Sequence, residues 1–273
     1  MKWLKRILLV LLTLPVLAVA VIYVRSEMIL AKKYPPATYS ITLSTDPAVI
    51  AEGERLAQVT GCFHGCHGTN MEGDVFFEEQ WIGRFVAPNL TRAMERYTVT
   101  ELEAIIRQGI RPDGTSVLGM PSDAFSVMHD EDLVAILSFI ARYPRNDLDL
   151  GNSELGPLAR VGLAMGEYFP AVIGIEKLAA QQKPVSPEFA MGNYLSTITC
   201  SECHGLQLEG QEGFTPPLLI AKAYSIEDFR KLMSTGVGLG DRDLGLMTQV
   251  AQSRFKHMTD AEVEALHGYL QSL

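Results

Sequence analysis

The chain has 273 residues, of which 47% are hydrophobic, and a formal net charge of −9. That length and apolar content suit one large or two ordinary globular domains and exclude a disordered chain. The acidic balance argues against nucleic acid as a partner and leaves room for a soluble partner with a basic face. All four cysteines fall in two close pairs, Cys62/Cys66 and Cys200/Cys203, each followed at once by a histidine.

The N-terminus carries Lys2, Lys5 and Arg6, and Ile7 to Val24 then runs for 18 residues without a charge. As a helix rising ~1.5 Å per residue this run is about 27 Å long, close to the ~30 Å hydrocarbon thickness of a bilayer. Arg25 closes it. Basic residues before the run and export after it predict a single-pass protein of the bacterial inner membrane with its bulk in the periplasm. Ala18-Val19-Ala20 resembles a signal-peptidase site, so a cleaved signal is the alternative. The apolar run continues past that site, which favours residues 1–25 as a retained anchor. Residues 26–45, with Lys32, Lys33 and Pro35-Pro36, read as an extended tether.

Asp46-Pro47 opens a helix through Val59 with Ile50, Leu56 and Ala57 on one face. It leads into Cys62-Phe63-His64-Gly65-Cys66-His67, a C-x-x-x-C-H sequence. The regular form, C-x-x-C-H, stands at Cys200-Ser201-Glu202-Cys203-His204 and is the attachment signature of a c-type haem. Two thiols one helical turn apart face the same way, and the next imidazole then lies under the porphyrin. The extra residue of the first motif is compatible with this if positions i and i+4 share a helix face, or if Gly65 forms a local bulge. A metal cluster of Cys62, His64, Cys66 and His67 is the alternative, though zinc sites usually draw two ligands from a second segment. Two short disulfides would leave His67 and His204 unexplained.

An internal repeat connects the two motifs. Gly53-Glu54-Arg55-Leu56 starts nine residues before Cys62, and Gly192-Asn193-Tyr194-Leu195 starts eight before Cys200. Glu72-Gly73 and Glu209-Gly210 lie at the same distance after their histidines. Thr98–Gly109 and Ser225–Gly236 are matching amphipathic stretches ending at glycine. Met120 and Met247 each lie eleven residues beyond those glycines. Final helices, from Met128 to Arg142 and from Met258 to Leu273, close each copy. The predicted domains are therefore 46–142 and 188–273, joined by a linker of residues 143–187 in which Leu155–Met165 reads as a short helix.

A haem with histidine on one side takes methionine, histidine or an open position on the other. Met120, in Gly119-Met120-Pro121, is the expected sixth ligand of the first haem, and Met247 that of the second. Met128 and Met258 match between copies too, but they start the last helix, where a core role is the simpler reading. His129, His257 and His267 are alternatives without repeat counterparts. Proline carbonyls at Pro88, and at Pro216 or Pro217, stand where they could orient the axial imidazoles.

These residues resemble class I cytochrome c domains, and the whole resembles a membrane-anchored dihaem cytochrome c. The likeness covers residues 46–142, through Gly53, Cys62/Cys66/His67, Pro88-Asn89-Leu90-Thr91 and Met120-Pro121. It covers residues 188–273 through Gly192, Cys200/Cys203/His204 and Met247. It implies an all-α fold, two tandem helical domains behind one transmembrane helix. It further implies two covalent haem c groups held by Cys62, Cys66, Cys200 and Cys203, with His67/Met120 and His204/Met247 on the irons. The implied role is one-electron transfer between redox proteins, without catalysis by the chain itself. Similar domains serve as cytochrome subunits of membrane-bound dehydrogenases, so a dehydrogenase or a terminal oxidase is an expected partner. A dihaem peroxidase needs an open iron, and a thiosulfate-oxidising site needs a fifth cysteine, which this sequence lacks.

Overall fold

A computed structural model describes residues 2–38 and 41–273; the expected tether falls partly on residues 39 and 40, which lie outside them. Helix α1 (Lys2–Leu30) is apolar all round, and its side chains from Trp3 to Val24 are almost all exposed. An apolar helix with no protein over it fits a membrane anchor. It continues five residues beyond the expected end at Arg25, because its last turns are bound to the body. Arg160 reaches Ser26 Oγ at 2.9 Å and the Glu27 carboxylate at 2.6 Å, and its guanidinium lies 4.8 Å from the Tyr23 ring. The segment after α1 is extended but pinned. Tyr34 N–H donates to the Gly114 carbonyl at 2.9 Å, and the Gln108 amide pairs with both backbone groups of Ala37 at 2.7 and 3.0 Å.

In the first copy, α2 (Pro47–Val59) starts where Asp46 accepts from Ala48 N–H at 2.8 Å, with Pro47 at its first position. Strands β1 (Asp74–Glu79) and β2 (Gly83–Ala87) form an antiparallel hairpin. Then come α3 (Leu90–Arg96), α4 (Val99–Gln108), the short α5 (Ser122–Phe125) and α6 (Asp130–Ile140). A reciprocal Thr98/Glu101 capping box opens α4, and Gly109 at φ 64° closes it. The linker holds β3 (Glu154–Leu155), which joins β2, then α7 (Pro157–Met165) and α8 (Ala171–Gln181). Only one linker helix was expected; α7 packs on α1, and α8 packs on α5 and α4.

In the second copy α9 (Ala190–Thr199) is followed by α10 (Ser201–His204), α11 (Ile226–Thr235), strands β4 (Val237–Gly238) and β5 (Arg242–Asp243), α12 (Leu246–Ser253) and α13 (Asp260–Ser272). Ser225 caps α11 and Gly236, at φ 77°, ends it. The protein is predominantly helical, as expected, with small strands that the helical pattern had not signalled.

In both copies the first helix crosses the last at backbone contact. A Cβ on Gly53 would sit 1.9 Å from the Ala135 carbonyl oxygen of α6, and one on Gly192 would sit 2.1 Å from that of Ala265 in α13. Only glycine lets the backbones meet this closely. The two copies also face each other through the same surface. Arg55, two residues after Gly53, makes a two-pronged ion pair with Glu262 of the other copy at 2.8 and 2.9 Å. Tyr194, two residues after Gly192, donates to Asp132 in return and stacks on His129 with ring centroids 4.0 Å apart. Glu262 and Asp132 lie at equivalent repeat positions, each four residues after Met258 and Met128. The interface is isologous, the arrangement expected of a two-fold dimer, here within one chain. One cluster of buried apolar residues, including Leu56, Leu133, Leu195 and Leu266, runs through both copies.

Candidate haem sites

The second motif is built as its spacing predicts. Cys200 ends α9, residues 201–204 form one helical turn, and Gly205, at φ 81°, releases the chain. The first motif is not helical, so of the two expected ways to take up the extra residue the shared helix face is ruled out and the local bulge at Gly65 is found. His64 takes a left-handed conformation (φ 54°), and Gly65 lies so close to Gly61 that a Cβ there would be 2.4 Å from the Gly61 carbonyl oxygen. Cys66 N–H closes the loop on the same carbonyl at 3.0 Å. The extra residue is thus absorbed by a left-handed residue followed by a glycine held against backbone.

Beyond the histidines the two sites share one backbone design. Gly68 and Gly205 both have φ 81°, and Met71 and Leu208 are left-handed at 56° and 60°. The Glu72 carboxylate accepts from Asn70 N–H at 2.6 Å, and Glu209 accepts from Gln207 N–H at 2.9 Å. Gly73 N–H and Gly210 N–H return to the carbonyls of His67 and His204 at 3.0 and 2.8 Å. The repeated Glu-Gly pair is therefore a loop-closing device. His67 Nδ1 then bonds the Pro88 carbonyl at 2.7 Å, and His204 Nδ1 bonds the Pro216 carbonyl at 2.8 Å. This picks Pro216 over Pro217. A carbonyl only accepts, so Nδ1 carries the proton and each Nε2 keeps its lone pair for a metal. Burial pulls the pKa of both imidazoles below the ordinary histidine value, against a smaller upward push from the proline carbonyls. Both are thus held as neutral donors.

No disulfide joins the four cysteines. Burial pushes their pKa values up, Cys66 and Cys200 to about 11. Among the described residues no three His, Cys, Asp or Glu side chains are grouped to hold a metal ion. His64, a member of the alternative cluster, is exposed and lies against the Phe63 ring, centroids 4.1 Å apart. Met120 and Met247 are half-buried and pack against the cluster that contains Cys200 and contacts Cys62. Met120 is followed by Pro121, which caps α5, whereas Met247 lies in the first turn of α12 and not in a loop. Met128 is buried at 3% exposure, and Met258 packs on the same core. His267 is tied to the Tyr224 carbonyl at 2.9 Å.

Paired thiols beside an imidazole whose Nε2 is free are donors that fit a covalent haem. Sequence reasoning missed Arg254, which is 6% exposed. Its Nε donates to the Val59 carbonyl at 3.2 Å, beside the first motif, and Nη1 pairs with Glu202, inside the second, at 3.1 Å. The remaining nitrogen, Nη2, is buried with no hydrogen-bond partner. Arg254 has no repeat counterpart, since Ala124 holds the equivalent position counted from Met128 and Met258, so the pattern gave no signal for it.

Such paired sites, each a haem-attachment motif between crossed first and last helices, define a c-type cytochrome. The cytochrome c family model matches residues 50–143 and 189–273, and the chain belongs to that family; its members bind haem c covalently. Among curated relatives, the chain is similar to the cytochrome c subunit of the quinone-dependent alcohol dehydrogenase of Gluconobacter oxydans, 25% identical over 84% of this chain and 55% of that protein. It is also similar to the fructose dehydrogenase cytochrome subunit of Gluconobacter japonicus, 24% identical over 82% of this chain and 52% of the relative. The gluconate 2-dehydrogenase cytochrome c subunit of Pantoea cypripedii is 24% identical over 83% and 60% respectively. The chain thus spans somewhat over half the length of the curated relatives it matches.

Proposed function

We propose that this protein carries single electrons through two haem c groups, in domains 46–142 and 188–273, as the cytochrome component of a membrane-bound dehydrogenase. Bound haem would supply the one-electron couple, Fe(III)/Fe(II). Cys62 and Cys66, and Cys200 and Cys203, would anchor the two rings. His67 and His204 would hold the irons through Nε2, and Met120 and Met247 would be the second protein ligands that exclude water and small ligands. The observation that carries this reading is the duplicated imidazole–proline bond, 2.7 Å at His67 and 2.8 Å at His204. The relatives' roles as dehydrogenase subunits support the choice of partner. The apolar α1 supports an inner-membrane anchor, with the basic Lys2, Lys5 and Arg6 inside and the haem domains in the periplasm.

Haem quantification and a reduced-minus-oxidised spectrum under carbon monoxide test the assignment. Two low-spin haems per chain that ignore carbon monoxide are expected. Prompt binding at one haem would instead reveal an open iron and a peroxidase-like site. Met120→Leu and Met247→Leu should each remove about half of the near-infrared methionine–Fe(III) band and open that iron to carbon monoxide. Purification from membranes separates a subunit, which brings a dehydrogenase with it, from a free carrier, which elutes alone.

A further inference from the structure

The Arg254–Glu202 pair belongs to neither copy's repeat. Glu202 occupies a variable position of the second attachment motif, and Arg254 lies in the turn before the last helix. They pair within the second copy, and the isologous interface brings the pair against the first motif. The guanidinium rests on the backbone before Cys62: a Cβ on Gly61, whose φ is 78°, would lie 2.9 Å from the guanidinium carbon. On the other side, Cys66 Sγ lies 3.9 Å from the Glu202 carboxylate. One buried cation and one carboxylate therefore contact the attachment segments of both sites. Asp123 of the first copy also feels this carboxylate: burial chiefly, and Glu202 in addition, raise its pKa.

We infer that Arg254 and Glu202 form a shared electrostatic element that sets the redox potentials of both haems together. The inference rests on the two-haem reading above. A buried ion pair is nearly neutral at a distance, but removing one partner leaves an uncompensated charge in a poorly screened site. A positive charge beside a haem stabilises the reduced iron, which bears one positive charge fewer; a negative charge does the reverse. Charge from this pair acts on both irons because the pair touches both motifs. It is a positioning and tuning element, not a ligand.

The test is a potentiometric titration of the full-length holoprotein. Arg254→Gln leaves the Glu202 carboxylate unpaired and should lower both potentials, while Glu202→Gln leaves the guanidinium unpaired and should raise both. Each shift should change the oxidised-to-reduced ratio about tenfold, which is about 59 mV for a one-electron couple. Arg254→Lys, which keeps the charge, and the double variant should both return close to the parent values. Shifts of the same sign in the two single variants, or a shift at one haem only, overturn the inference. If Arg254→Gln fails to mature, Glu202→Gln decides alone: a rise at both haems supports the inference, and unmoved potentials overturn it. Fewer than two haems in the parent protein would sink the underlying reading, which haem counting separates from the failure of the shared pair.

Discussion

The first and second haem motifs hold the histidine in the same way but present their thiols differently. Downstream, both use a left-handed glycine, a left-handed apolar residue, a glutamate that closes the loop and a proline carbonyl for the imidazole. Upstream, the second site is one helical turn, while the first is a non-helical loop with His64 at φ 54°. The insertions differ too. Between Gly73 and Pro88 the first copy carries the β1–β2 hairpin, with Phe76, Phe77, Trp81 and Ile82 exposed, where the second has a tight turn from Gln211 to Thr215. The difference teaches that orienting the imidazole demands one backbone path, whereas presenting two thiols admits more than one.

The largest effects should come from what the copies share. Gly53→Ala and Gly192→Ala each force a Cβ into a facing carbonyl and are expected to destabilise the protein by about 3 kcal/mol. Because one core runs through both copies, chemical denaturation should give a single lowered transition for either variant. Two separated transitions would mean that the copies fold independently.

The next test separates the motifs. Gly65→Ala puts a Cβ 2.4 Å from the Gly61 carbonyl oxygen and should remove covalent haem from the first site only. Ser201→Ala, which loses the bond to the Thr197 carbonyl, should keep both haems. Mass spectrometry of the intact chains distinguishes them, and full haem loading of Gly65→Ala would reject the strained-loop account.

The reciprocal interface contacts should differ in strength. Arg55→Ala removes a two-pronged ion pair and a bond to the His257 carbonyl at 3.0 Å, an expected loss of about 2 kcal/mol. Tyr194→Phe removes a single hydroxyl bond to Asp132, a loss of about 1 kcal/mol. Denaturant midpoints of both variants measure this, and equal losses would mean that the ion pair gives no more than the hydroxyl.

The smallest effect is a pH dependence confined to the first copy. Burial raises the Asp123 carboxyl above its ordinary value of 3.8, so the folded state penalises the ionised form. The penalty is absent below that value, where the carboxyl is protonated whether folded or not, and grows as pH rises through the folded pKa. Asp123→Asn should therefore raise the thermal midpoint at neutral pH, and the gain should shrink on acidification. A gain that stayed constant with pH would assign it to packing instead.

Much was legible from local chemistry alone. The capping residues Asp46, Thr98 and Ser225, the terminating glycines Gly109 and Gly236, and the apolar run of α1 are short-range signals whose physics lies within a few residues. The second linker helix and the β1–β2–β3 sheet were not, because α8 and β3 are held by packing on the first copy and by pairing with β2.

The sequence by itself determined the duplicated module: two thiol–histidine motifs, two repeated glycines ahead of them and two methionines in step, each legible from spacing along the chain. Tertiary structure alone decided that the copies face each other through one reciprocal surface. It chose Pro216 as the partner of His204, and it placed the buried Arg254 between the two motifs. Those outcomes depend on which surfaces fit once the helices have formed, and shape and charge matched across more than a hundred residues leave no local pattern to read.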